Sequence, residues 1–251
     1  MARFNGKVAL VTGGGSGLGE ACCRLFAQQG ARVIVADRDE QRARVAAGRV
    51  SDAWVIDVGS DSDWAETARM IEARFGRLDI LVNNAGFLLV ADLEATSLED
   101  FRRVNNVMAE GVFLGCKHML PLLRKSASGA IVNMASTASH LGYHQYLAYC
   151  AAKGAVRSMT RAIAVECHVK GYPVRCNSVH PGGIETSLQR EAEDRECAAQ
   201  IKTAGVLPFG SNGLPQDVAS LVAFLASDEA RFITGAEYVI DNGATVWPVL
   251  H

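Results

Sequence analysis

Tyr149 and Lys153 stand four positions apart in Tyr149-Cys150-Ala151-Ala152-Lys153, a spacing that puts both side chains on one face of a helix. A phenol can hand a proton to a developing alkoxide, but its ordinary pKa of about 10 makes it a poor base in the reverse direction. An ammonium one turn away is expected to lower that pKa toward working pH. The pair is therefore a candidate acid/base for interconverting an alcohol and a ketone. Tyr143 and Tyr146 lack this arrangement, because Leu147 and Cys150 occupy the positions four residues on. Their expected role is to line a pocket.

A second chemical feature lies near the N-terminus. Val8-Ala9-Leu10-Val11 reads as a buried strand that runs into Thr12-Gly13-Gly14-Gly15-Ser16-Gly17-Leu18-Gly19. A helix is expected from Gly17 to Gln29, ended by Gly30. Glycines let the backbone turn tightly against a pyrophosphate, and the helix N-terminus presents free N–H groups to it. The spacing is GxxxGxG; the GxGxxG fingerprint fits in no register, and no Lys-Ser or Lys-Thr pair marks a nucleotide triphosphatase. Gly13, Ser16, Gly17, Leu18 and Gly19 are candidate dinucleotide contacts, the alternative being a merely flexible turn. Asp37 closes the next strand, Arg32 to Ala36. A carboxylate there accepts from ribose hydroxyls and repels a 2′-phosphate, which favours NAD over NADP despite the neighbouring Arg38. Ser16 adds no positive charge to the loop. The alternative for Asp37 is a plain helix cap.

Such groups need a scaffold, and the chain supplies alternating strands and helices. Further strands are expected at Ala53 to Ile56, Ile80 to Val82, Ala130 to Asn133, Val174 to Val179 and Glu237 to Ile240. Between them come a polar helix to about Ala47, a helix from Asp61 (as N-cap) to Phe75, a long helix from Leu98 to Arg124, one over Tyr149 to Val169, and one from Asp217 to Leu225. Continuous apolar strands separated by helices predict an α/β fold: a doubly wound, parallel, seven-stranded Rossmann sheet in one domain over 1–251. The ligand is expected outside the carboxyl ends of the strands.

Composition excludes several functions. A net charge of −2 over 251 residues gives no electrostatic footprint for nucleic acid or an anionic membrane. Seven cysteines, an odd number with no CxxC spacing, fit reduced thiols in a cytoplasmic protein better than disulfides or a zinc site. Met1 to Gly6 carries no apolar run of a secretory leader, and no stretch approaches the ~20 apolar residues of a membrane span. His140 and His144, four apart, lack an evident third ligand, so no metal is expected.

These motifs together resemble the short-chain dehydrogenase/reductase family, in order and over nearly the whole chain. Thr12 to Gly19 is similar to its TGxxxGxG loop, Asn83-Asn84-Ala85-Gly86 to its NNAG turn, and Tyr149 to Lys153 to its YxxxK, with Ser136 thirteen positions before the tyrosine. The resemblance implies that Asp57 and Val58 bracket the adenine. It also implies that Asn84 and Gly86 contact the cofactor, and that Pro181, Ile184 and Thr186 close over the nicotinamide. Ser136 would polarise the substrate carbonyl, and Lys153 would also hold the ribose. Asn133 to Ser136 and His180-Pro181-Gly182 look like bacterial hydroxysteroid dehydrogenases. A bulky alicyclic or aromatic secondary alcohol or ketone is thus expected, against apolar walls from Phe87, Leu88, Leu89, Leu141, Tyr143, Tyr146, Leu188 and Val206.

One departure stands out. The family's asparagine, which completes a tetrad and anchors a relay water, aligns with Met108; Asn105 and Asn106 lie close by. The expected reading is a Ser-Tyr-Lys triad, with a relocated role for Asn105 as the alternative. A competing function is an NAD-binding regulatory protein whose catalysis has decayed. The resemblance implies a mobile substrate lid at about 186–207, and the charged run Glu191 to Glu196 reads as a solvated helix face. Apolar residues on more than one face of two helices (Val112, Phe113, Met119 and Leu120; Val156, Met159, Ile163 and Val165) predict a homotetramer.

Overall fold

The computed structural model describes residues 2–48, 51–186, 207 and 211–246. Its strands are β1 (Val8–Thr12), β2 (Arg32–Asp37), β3 (Asp52–Val55), β4 (Ile80–Asn83), β5 (Gly129–Met134), β6 (Val174–Pro181) and β7 (Glu237–Ile240). Its helices are α1 (Gly17–Gln28), α2 (Glu40–Ala47), α3 (Asp61–Phe75), α4 (Leu98–Asn105), α5 (Gly111–Leu123), α6 (Leu147–Val169) and α7 (Pro215–Ala226). The strands form one sheet in the order β3-β2-β1-β4-β5-β6-β7, parallel throughout. This is the Rossmann arrangement expected from the alternation. The order reverses between β1 and β4, which opens a crevice at their carboxyl ends.

The β1 sequence is apolar on both faces because helices cover both. Ala9 and Val11 join Phe26 of α1 and Val222 of α7 in one core, while Leu10 joins Trp64 of α3 and Met119 of α5 in the other. Leu10, Trp64 and Met119 are fully buried; side chains of the leucine and methionine class contribute roughly 1.5–3 kcal/mol each on leaving water. A buried polar ladder then fixes α6 to the sheet. Asn83 Nδ2 donates to Asn133 Oδ1 at 2.9 Å, and Asn133 Nδ2 donates to Thr160 Oγ1 of α6 at 2.9 Å. Thus α6, which carries Tyr149 and Lys153, is pinned by directional bonds as well as by packing.

Three local expectations are corrected. Ser60, not Asp61, caps α3, accepting from the Asp63 N–H at 3.2 Å. The long helix from Leu98 to Arg124 is not uniform: a π-turn over Asn106–Glu110 separates α4 from α5. The last α-helix before β7 begins at Pro215, whose missing N–H costs nothing at a first turn. Among the described residues, no helix is long and apolar enough to cross a membrane.

Candidate active site

The β1–α1 loop makes its turn with two left-handed glycines, Gly13 at φ +60° and Gly17 at φ +54°. Gly19 serves packing, since a Cβ there would run into the Gly13 carbonyl. Asn84 braces the loop from β4: its Nδ2 donates to the Thr12 carbonyl at 3.0 Å and the Gly13 carbonyl at 3.2 Å. Asp37 reaches across from β2 and accepts from the Gly15 N–H at 3.0 Å. It is not the cap of α2; Asp39 is, accepting from the Arg42 N–H at 3.0 Å.

These elements open onto a cavity of about 590 Å³. Its walls include Gly13, Ser16, Gly17, Leu18, Asp37, Asp57, Val58, Asn84, Gly86, Pro181, Ile184 and Thr186, together with Ser136, Tyr149 and Lys153. Of the expected site residues, only Gly19 stands behind the wall. From the end of β2 to the end of β6 the cavity crosses five strands, a span of about 19 Å at ~4.8 Å per strand. The residues fit a dinucleotide. Bare backbone and a helix N-terminus face the place of a pyrophosphate, and a carboxylate ends β2.

The other half of the cavity holds the titratable groups. Tyr149 lies in the first turn of α6, which begins two residues earlier than expected. Burial of its hydroxyl pushes the phenol up to about 12, while a hydrogen bond with the Ser136 side chain works in the opposite direction. Burial also brings the Lys153 ammonium down to about 8. Lys153 Nζ donates to the Met134 carbonyl at 2.7 Å and lies 5.6 Å from the centre of the Tyr149 ring. The Tyr149/Lys153 spacing predicts a lowered phenol pKa; in this structure desolvation raises it instead. Ser136 Oγ accepts from the Ala138 N–H at 3.1 Å, which fixes the serine at the head of a single 3₁₀ turn, Thr137–Ser139.

Of the expected apolar wall, Phe87, Leu88, Tyr143 and Tyr146 line the cavity, joined by Met108, whereas Leu89 packs against the cluster of Val104 and Met108 and Leu141 is exposed and does not line it. Tyr143 and Tyr146 meet edge to face at 6.2 Å. Leu188, Val206, the run Glu191 to Glu196 and nearly all of the expected lid lie outside the described residues. Met108 is fully buried, and a Cβ on Gly86 would stand 3.1 Å from its sulfur. Neither Asn105 nor Asn106 lines the cavity. Asn105 Nδ2 donates back to the Phe101 carbonyl at 2.8 Å, and Asn106 packs on Gly59.

Sequence reasoning missed three groups. Arg42 lines the cavity beside Asp37, one turn into α2, where no motif marks it. The Met134 carbonyl that receives Lys153 is a backbone atom, invisible to residue spacing. His140 pairs not with His144 but with His180, ring nitrogens 3.0 Å apart.

Fold and site together are those of a dinucleotide-binding α/β protein. Residues 13–245 match the family described as enoyl-(acyl carrier protein) reductase. The chain is 38% identical over 245 residues to a 3-beta-hydroxysteroid dehydrogenase of Comamonas testosteroni, covering 96% of each. It is 40% identical over 250 residues to a cyclohexanol dehydrogenase of Acinetobacter sp. (strain SE19), covering 97% of this chain and 96% of that one. An NADP-dependent (R)-specific alcohol dehydrogenase of Lentilactobacillus kefiri shares 37% over 249 residues, covering 97% of this chain and 98% of its own. A crystal structure of a short-chain type dehydrogenase/reductase from Mycobacterium marinum superposes with a TM-score of 0.89 at 30% identity over 98% of both chains. The chain belongs to the short-chain dehydrogenase/reductase family, whose members bind a nicotinamide dinucleotide.

Proposed function

We propose that this protein is an NAD-dependent dehydrogenase that interconverts a bulky cyclic secondary alcohol and its ketone. The observation that carries the reading is the convergence of the Ser136 hydroxyl, the Tyr149 phenol and the Lys153 ammonium on one wall of the cavity that Asp37 also enters. In the reducing direction Tyr149, neutral because burial raises it, donates its proton to the substrate oxygen as alkoxide character develops. Ser136 holds that oxygen and orients the phenol. Lys153 places a cation near the phenol and favours its deprotonated form when an alcohol is oxidised. Bound nicotinamide dinucleotide would donate or accept the hydride.

Asp37 supports NAD, since a 2′-phosphate beside it would meet a carboxylate already fixed to the loop by Gly15. The Lentilactobacillus relative is named as NADP-dependent, so family membership does not decide the cofactor, and the reading rests on Asp37. The apolar wall and the steroid, cyclohexanol and cyclopentanol dehydrogenases among the relatives support a large alicyclic substrate. Met108 alone favours a regulatory dinucleotide binder without catalysis. The triad beside it opposes that reading.

We infer that the chain acts as one catalytic domain over 1–251. The exposed apolar side chains Phe113 and Val165, on the helices flanking the site, support a homotetramer. Light scattering at micromolar concentration tests the tetramer, and a monomer would refute it. Free thiols, all but Cys150 buried among the described cysteines, support a reducing compartment such as the cytoplasm. The function is tested by following NADH formation with cyclohexanol and with a 3-hydroxysteroid, for the wild type and Tyr149→Phe. Turnover that disappears in the variant while NADH binding persists supports the reading. A variant that keeps most of its kcat sinks it.

A further inference from the structure

The carbonyl of Ser136 is met by three polar groups. Ser139 donates to it from its backbone N–H at 3.0 Å and from its hydroxyl at 2.7 Å, and His180 Nδ1 approaches it at 3.3 Å. His180 is fully buried near the end of β6. Its Nδ1 also lies 2.7 Å from Ser139 Oγ, and its Nε2 lies 2.8 Å from Ser178 Oγ. On the other side of Ser136, the Ala135 N–H donates to the Val179 carbonyl at 2.8 Å.

Both ring nitrogens are engaged whichever of them carries the proton of the neutral imidazole. Ser139 Oγ lies 2.7 Å from both the Ser136 carbonyl and His180 Nδ1, and its one proton can serve either. His140 Nε2 also faces Nδ1 at 3.0 Å, and the Ser178 hydroxyl, 2.8 Å from Nε2, also reaches the Ala236 carbonyl at 3.5 Å. Burial and the neighbouring His140 bring His180 down to about 4, which keeps the ring neutral in ordinary conditions. The result is a connected chain, Ser178 to His180 to Ser139 to the Ser136 carbonyl.

His140, His180 and Glu237 also bring their ligand atoms within 4.8 Å of one another. They do not suit a metal. Glu237 is held by Arg157 at 2.7 Å and Arg161 at 3.4 Å, and a divalent cation would sit against both guanidinium groups. His140 Nε2, 3.8 Å from Glu237, faces the same carboxylate. The cluster instead clamps the segment after Ser136, because Arg157 also donates to the Ser139 carbonyl at 3.4 Å.

We propose that His180 is a positioning residue for the reaction: through Ser139 it fixes the backbone of Ser136, and so holds the serine hydroxyl against Tyr149 and the substrate oxygen. The proposal rests on the function above for its kinetic consequence, but not for its geometry. A hydroxyl that swings by a fraction of an ångström weakens an interaction made in the transition state while leaving the distant cofactor end of the cavity untouched. The loss should fall on kcat and not on the KM for NAD.

Two measurements on the full-length protein test this. Nitrogen NMR of histidine-labelled protein at neutral pH should show His180 as a single neutral tautomer; a charged ring or an exchanging mixture of tautomers overturns the proposal whatever the activity. With cyclohexanol and NAD, His180→Ala and Ser139→Ala should each lower kcat about tenfold or more with the KM for NAD within about twofold. The double variant should be little worse than either single one, because both cut the same chain. His180→Asn, whose amide can donate from the Nδ1 position, should recover most of the loss. Additive losses, or variants that only lower Tm while the folded enzyme keeps its kcat, refute the positioning role. If the wild type turns over no alcohol at all, the proposed function fails, and the tautomer result still decides the geometry.

Discussion

Lys153 donates to the carbonyl of Met134 at 2.7 Å from a site that leaves the residue only 4% exposed. A single carbonyl does not replace the water that an ammonium loses, so burial brings the group down from 10.5 to about 8. The unfolded chain holds this proton more tightly than the folded one between those values. Folding is therefore penalised below about pH 8, and the penalty fades as pH rises toward 10.5. At 1.36 kcal/mol per unit this net penalty is on the order of 3 kcal/mol. Lys153→Met should thus raise Tm by roughly 6–12 °C at pH 7 while removing turnover. Calorimetry beside an NADH assay checks both; a Tm below that of the wild type would show that the lysine is a net structural support.

Much of this site was legible because its signals are local. The strand–glycine–helix passage from Val8 to Gly19, the carboxylate ending β2 and the Tyr149/Lys153 spacing each occupy one short window, where backbone geometry dictates who meets whom. The parallel sheet followed from uninterrupted apolar strands. What escaped depends on tertiary packing. His180 and Glu237 reach His140 from β6 and β7, 40 and 97 positions away along the chain. The raised Tyr149 pKa reflects desolvation by the elements packed around it, which a spacing cannot register. The π-turn at Asn106–Glu110 inserts an extra residue within a pattern that reads as continuous helix. Met108 points inward from it, while the Asn105 amide, just before it, donates back to the Phe101 carbonyl within α4.

Asp37 is expected to set cofactor choice. Its carboxylate is oriented by the Gly15 N–H and by the Asp39 N–H at 3.1 Å, so it cannot swing away from a 2′-phosphate without losing two hydrogen bonds. NAD should be preferred over NADP by at least about tenfold in kcat/KM, or roughly 1.4 kcal/mol. Asp37→Ala should narrow the gap, helped by Arg38 and Arg42 on the same wall. Equal kcat/KM values for the two cofactors in the wild type would remove Asp37 from this role.

Acid should unfold the protein partly through His180. The ring is about 4 when folded against 6.5 as its ordinary value, so the unfolded state takes up the proton first as pH falls. The stability associated with the neutral ring is complete above about pH 6.5 and is lost on the way down to pH 4. The loss is on the order of 3 kcal/mol at 1.36 kcal/mol per unit. Carboxylates also protonate over part of this range, so the informative quantity is a difference. His180→Asn should unfold with a shallower dependence on pH between 6.5 and 4 than the wild type, measured by urea titration. Parallel curves for the two proteins would assign the acid sensitivity elsewhere.

Met108 supplies the last test. Its thioether is fully buried against Gly86, on the cavity wall that Lys153 shares. A thioether donates no hydrogen bond and accepts only weakly, so the side chain offers a water nothing to hold. Asn105 does not compensate, since its amide is committed to the Phe101 carbonyl. If proton movement between Lys153 and solvent limits alcohol oxidation, Met108→Asn should raise kcat or extend activity to lower pH, with the Kd for NADH unchanged. The substitution also places an amide where a methionine filled space, and stability should fall by about 1–3 kcal/mol unless a water completes its bonds. Asn105→Ala should leave kcat within about twofold, because a capping bond inside α4 is all it loses. A Met108→Asn enzyme with unchanged kcat and pH profile, joined by a costly Asn105→Ala, would mean that the relay runs through α4 after all.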